Sequence, residues 1–116
     1  MSRLEVLDGK SWQEFVAAPA AVLVLGKNGC EACASWASEL ETFLATDRRW
    51  QKVRFGKLLL DMPGLVSFKR ANQWVAELDA LPFNVIYRNG QRSKDFAGGG
   101  VERLVTRLER EFPASP

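Results

Sequence analysis

Two cysteines, Cys30 and Cys33, are the side chains best suited to chemistry in this chain, which contains no histidine. A thiolate is the nucleophile of thiol–disulfide exchange. Residues three apart in a helix share a face, so this pair can close a disulfide with little movement of the backbone. The stretch A-V-L-V-L-G-K-N-G leads into them, and the chain beyond is rich in Ala, Ser, Glu and Leu with no proline before Pro63. The apolar run Ala21–Leu25 suits a strand buried on both faces. Gly26 to Gly29 stop it, and helical composition sets in from Cys33. A strand, a glycine-containing loop and a helix with both cysteines at its start make a setting for an anion. Free N–H groups and the positive end of the helix dipole there favour thiolate over thiol.

The rest of the composition narrows the chemistry. One Cys-x-x-C supplies two of the four ligands of a structural zinc site, and without histidine a Cys–His nucleophile cannot form within the chain. A chain of 116 residues, 47% apolar and 26% charged, fits one globular domain spanning residues 1–116. A net charge of +2, from scattered basic residues, argues against nucleic acid as a partner. No apolar run approaches the roughly 20 residues of a membrane helix, so no membrane is expected either. Met1 to Lys10 lacks the apolar core of a signal sequence, and a cytoplasmic monomer is expected. In a reducing compartment, a lone Cys-x-x-C beside a βαβ pattern points to catalysis rather than to a stabilising cross-link.

Several elements must position the pair. Leu4–Leu7 reads as a short edge strand. Ser11-Trp12-Gln13-Glu14 has the form of a capping box for a helix ended by Pro19. After the cysteines, Trp36, Leu40, Phe43 and Leu44 recur at helical spacing to about Thr46, and Asp47–Lys52 is a charged connector. Val53–Leu60 reads as a strand ended by Asp61 and Met62-Pro63-Gly64. Leu65 to about Leu78 reads as a helix, with Asn72-Gln73 as a point where it can break. Phe83–Arg88 and Gln91–Ala97 are strands joined by Asn89-Gly90, the dipeptide of a type I′ turn. Beyond Gly98-Gly99-Gly100, a closing helix carries Val101, Leu104, Val105, Leu108 and Phe112, and Pro113–Pro116 is a tail. The order β-α-β-α-β-α-β-β-α gives an α/β fold, a four- or five-stranded mixed sheet with helices on both faces.

With these elements in order, the chain resembles the thioredoxin family over nearly its whole length. The strand leading into Cys30-Glu31-Ala32-Cys33, the Leu81-Pro82 pair just before a strand, and the hairpin through Ile86-Tyr87-Arg88-Asn89-Gly90 to Gly98 stand in the family's order and spacing. The resemblance implies a thioredoxin-like fold and a thiol–disulfide oxidoreductase whose Cys30 attacks a protein disulfide and whose Cys33 resolves the mixed disulfide. It implies a cis peptide at Pro82, leaving the Leu81 backbone free to pair with an extended substrate. Gly29, Leu81, Pro82 and Gly98 would then contact substrate. No cofactor is called for beyond the redox-active cysteine pair itself. The implied partners are protein disulfides and a reductase or dithiol donor that the sequence does not name.

The departures from the family are local to the site. Gly29 stands where thioredoxins have Trp, and Glu31-Ala32 where they have Gly-Pro. Val24 occupies the place of a buried Asp six residues before the first cysteine, and Ser38 that of a proline five residues after the second. The Asp61–Pro82 segment is longer than usual, whereas Lys57 and Asp61 keep the K-x-x-x-D pattern of the strand. Two side chains are candidate modulators of the thiols. Glu31 is an acid that the helix dipole favours, and its negative charge beside Cys30 competes with that dipole over the thiol's ionisation, while Lys57 is a cation that would favour ionisation of Cys33. Two other readings stay open: a thioredoxin-fold binding or chaperone module with vestigial cysteines, and a glutaredoxin-like enzyme using glutathione. The aromatic residue that glutathione users carry in or beside the cysteine pair is absent here.

Overall fold

The computed structural model describes residues 2–113; of the expected tail, 114–116 lie outside the described residues. Ten elements occur in chain order: β1 (Leu4–Val6), α1 (Trp12–Val16), β2 (Ala20–Gly26), α2 (Glu31–Thr46), β3 (Arg54–Leu59), α3 (Val66–Ala71), a 3₁₀ turn (Gln73–Glu77), β4 (Phe83–Arg88), β5 (Gln91–Ala97) and α4 (Val101–Glu111). The five strands form one sheet in the order β1-β3-β2-β4-β5. β1, β3 and β2 run parallel, and β4 and β5 are antiparallel to their neighbours.

β2 lies in the middle because it is the most apolar segment, buried from Ala21 to Gly26. Its alternate side chains feed two cores. Val22 and Val24 pack with Trp36, Leu40, Leu104 and Leu108 of α2 and α4. Ala21, Leu23 and Leu25 pack with Trp12, Phe15 and Phe68 of α1 and α3. Asn89 (φ 52°) and Gly90 (φ 83°) both take the left-handed conformation that a type I′ hairpin requires.

One local expectation fails, and one helix breaks at the point its sequence marks, each for a physical reason. Ser11-x-x-Glu14 forms no capping box. Ser11 makes no side-chain cap, and Asp8 Oδ1 instead accepts the N–H groups of Lys10 and Ser11 at 2.8 and 2.9 Å. Glu14 turns to Arg54, forty residues away. The helix read over Leu65–Leu78 breaks at Asn72 (φ −129°, ψ 65°), whose Nδ2 donates to the Phe68 carbonyl at 2.8 Å; the 3₁₀ turn comes next. Among the described residues, no helix is long and apolar enough to cross a membrane.

Candidate active site

β2 ends at Gly26, one residue later than the apolar run suggests, and α2 begins at Glu31 with Cys30 as its N-cap. Cys30 is extended (φ −93°, ψ 106°), and its Sγ accepts the Cys33 N–H at 3.1 Å. The sulfur thus takes the place of the capping oxygen that serine or aspartate would supply. Cys30 and Cys33 form a disulfide with their Cα atoms 5.2 Å apart. Cys30 is half-buried, whereas Cys33 is 8% exposed. Cys33 sits this deep because Gly26 lets it. A Cβ added to Gly26 would stand 3.2 Å from Cys33 Cβ and 3.3 Å from its Sγ, tighter than side chains ordinarily pack.

The loop between β2 and α2 is tied to the end of β3. Asp61 accepts the Asn28 N–H at 3.1 Å and its Nδ2 at 3.4 Å. That backbone N–H holds the Asp61 carboxyl below the usual carboxylate range. Gly29, exposed with φ +77°, leads from this anchor into Cys30. A pocket of about 200 Å³ opens behind the disulfide, lined by Val24, Gly26, Cys30, Cys33, Ala37 and Lys57 among others. Val24 and Lys57 are register partners on β2 and β3, so valine's methyls and lysine's stem fill a position where no carboxylate is present. Lys57 therefore shares a pocket with Cys33. Glu31 is exposed on the first turn of α2.

On the other side of Cys30 lies a groove of about 290 Å³ formed with Lys27, Leu78, Asp79, Ala80 and Leu81. The Leu81–Pro82 peptide is cis. Among the described residues, no hydrogen bond uses the Leu81 backbone N–H or C=O. Pro82 is buried, and its carbonyl accepts the Gly98 N–H at 2.7 Å. Gly98 (φ +85°) has the guanidinium of Arg103 within 3.1 Å of where a Cβ would be. Cys30 and Leu81 thus line one groove, with Gly29 exposed next to Cys30 in the chain, while Pro82 is buried beside Leu81 and bonded to Gly98.

In the sequence, Asn84 is a single polar letter in the strand F-N-V-I-Y-R, and its position in the site could not be read there. It is fully buried, pairs with Val24 across the β2–β4 ladder, and accepts the Trp36 indole N–H at 2.8 Å. A buried amide within an apolar strand is itself a signal, because it needs partners from outside the strand. Among the described residues, no group of three or more Cys, Asp or Glu side chains is arranged to hold a metal ion.

No protein-family profile matches the chain, and no curated protein sequence is similar to it. Solved structures are similar over almost all of it. Thioredoxin f2 of Chlamydomonas reinhardtii has a TM-score of 0.75 at 20% identity, covering 97% of this chain and 99% of its own. The Malassezia sympodialis thioredoxin Mala s 13 gives 0.74 at 16%, covering 95% and 91%. Oxidised thioredoxin O2 of Arabidopsis thaliana gives 0.71 at 18%, covering 94% of each chain. The five-stranded mixed sheet and the fold of these neighbours agree with the expectation from sequence: this chain has the thioredoxin fold.

Proposed function

We propose that this protein is a thiol–disulfide oxidoreductase acting on protein disulfides. The observation that carries the reading is one groove holding both a half-buried Cys30 at the N-terminus of α2 and an unpaired Leu81 backbone. An extended substrate can pair with Leu81 and bring its disulfide to Cys30, in the manner of strand addition. The Cys30 thiolate attacks one substrate sulfur, forming a mixed disulfide and releasing the other as a thiolate. Cys33 then attacks Cys30 Sγ, releasing the second substrate thiol and closing Cys30–Cys33. The substrate gains two electrons, which a reductase or dithiol donor later restores to the protein. Helix-terminal N–H groups favour the Cys30 thiolate, and the chemistry needs no metal or organic cofactor. It suits a reducing compartment such as the cytoplasm.

The test uses insulin as protein disulfide and dithiothreitol as donor. The wild-type protein should reduce insulin faster than dithiothreitol alone. Cys33→Ser should accumulate a mixed disulfide visible by mass, and Cys30→Ser should not. Brief alkylation of the reduced protein should label Cys30 before Cys33. A wild-type rate no higher than background would favour the binding-module reading, which draws its support from the apolar Val24 behind the cysteines. Turnover that survives Cys30→Ser would reverse the assignment of roles.

A further inference from the structure

Asn84 gathers three elements that frame the cysteine pair. Its Oδ1 accepts the indole N–H of Trp36, which lies one turn beyond Cys33 in α2. Its Nδ2 donates to the Gly98 carbonyl at 2.7 Å and the Phe96 carbonyl at 3.1 Å. Both amide protons and the oxygen are therefore used, and the group is fully buried without an unmet partner. Gly98 completes a circuit by donating its N–H to the Pro82 carbonyl. Gly99 presses on the same indole, since a Cβ there would lie 2.9 Å from the Trp36 ring. An apolar residue would satisfy packing in β4, as Val85 and Ile86 do. An amide adds fixed directions: it turns the Gly98 carbonyl inward and ties it to the helix that carries Cys33.

We propose that Asn84 is a positioning residue for disulfide exchange, holding the Gly98 rim against α2 so that the Gly98 carbonyl stays turned inward and the Leu81 backbone stays open to the substrate. This rests on the oxidoreductase reading above. With the amide gone, the Gly98 carbonyl and the Trp36 indole lose their partner, and the loop after β5 is released. A protein substrate must then order that rim as it binds, while a small disulfide that touches only Cys30 is indifferent to it.

The experiment compares wild type, Asn84→Leu and Trp36→Phe. Trp36→Phe removes the indole donor but keeps the amide's bonds to Gly98 and Phe96. Asn84→Leu should raise the KM for insulin about tenfold, with kcat and the rate with a small aromatic disulfide within about twofold. Amide hydrogen exchange at Gly98 should quicken about tenfold relative to Leu7, whose N–H bonds Lys57 across the far side of the sheet. Trp36→Phe cuts the tie to α2 but keeps the two carbonyls bonded, so it should shift both readouts in the same direction by a smaller factor. Should Asn84→Leu fail to fold, Asn84→Asp keeps an acceptor for Trp36 and loses the amide donors, and the same shifts are expected. Equal losses with insulin and the small disulfide, or unchanged Gly98 protection, would overturn the proposal. If the wild type reduces no protein disulfide, the oxidoreductase reading fails. The exchange data then decide only whether Asn84 holds the Gly98 rim, faster exchange confined to Gly98 upholding that geometry and unchanged protection overturning it.

Discussion

The two ends of the sheet handle charge in opposite ways. Where β2 and β3 begin and α2 and α4 finish, charges are paired: Arg3 with Asp47, Arg54 with Glu5 and Glu14, Arg49 with Glu109, Arg88 with Glu111. At the cysteine end, Lys27, Glu31, Lys57, Asp61 and Asp79 join no ion pair among the described residues. Exposed pairs contribute roughly 0–1 kcal/mol each, so the far end draws its strength mainly from Asp47, whose carboxylate is almost wholly covered. Asp47 accepts the N–H groups of Arg49 and Trp50 and the Arg3 guanidinium, bending the chain out of α2. One end pairs its charges with each other; at the other, Asp61 is held by Asn28 while Lys27, Glu31, Lys57 and Asp79 join no ion pair among the described residues.

The strongest way to break this contrast is to bury a charge at the cysteine end. Val24 is 4% exposed, with Lys57 on one side of it in the sheet and Asn84 on the other. Val24→Asp should cost on the order of a few kcal/mol, partly offset by the positive charge of its register partner Lys57, which lines the same pocket. It should also raise turnover near pH 7, by giving the Cys33 proton an acceptor inside a largely apolar site. The denaturant midpoint and the pH–rate profile, from one preparation, check both halves. An unchanged profile would mean that proton removal at Cys33 is not the slow step.

Next in size is Asp47→Ala, which should cost about 1–3 kcal/mol by stranding the Trp50 N–H and leaving the Arg3 guanidinium only the Leu44 and Trp50 carbonyls, with no change in insulin reduction. Its pH signature has a definite sign. Burial pushes the Asp47 carboxyl up, but the N–H groups of Trp50 and Arg49 and the Arg3 guanidinium outweigh it and hold it below the ordinary value of 3.8. The stabilisation is thus complete above that value and is lost as pH falls through the lowered one. Urea midpoints should drop below about pH 4 in wild type and drop less in Asp47→Ala. A parallel fall in the two proteins would remove Asp47 as the source.

The smallest expected effect is at the exposed Asp61. Asp61→Ala should leave the urea midpoint close to wild type while slowing insulin reduction by less than about tenfold, because the Asn28–Cys30 loop loses its anchor. A large stability loss without a rate change would place Asp61 with the structural end instead.

What could be read from the sequence was whatever is carried by neighbours along the chain. The apolar run of β2, the Asn89-Gly90 turn and the cysteines at a helix start are local patterns, and they stand where expected. The strand before α2 and the helix after it place Cys30 without knowledge of anything distant. Asn84 could not be read in that way, since its partners lie 12, 14 and 48 residues away. Ser11 and Glu14 misled for the same reason. They have the spacing of a reciprocal cap, but Arg54 offers Glu14 a charged partner across the sheet that the local pattern does not contain. Asp61 was legible as the end of a strand and invisible as the anchor of the loop before Cys30.

The Cys30–Cys33 bridge joins residues only three apart. A cross-link confines the unfolded chain in proportion to the logarithm of the ring it closes, and a ring this small removes about 2 kcal/mol of chain entropy, against about 4.7 for a ring of 100 residues. The bridge is therefore a poor fastener, and the two cores around β2 do most of the holding. A bond that contributes this little beside the two cores can be opened and closed repeatedly without the molecule coming apart.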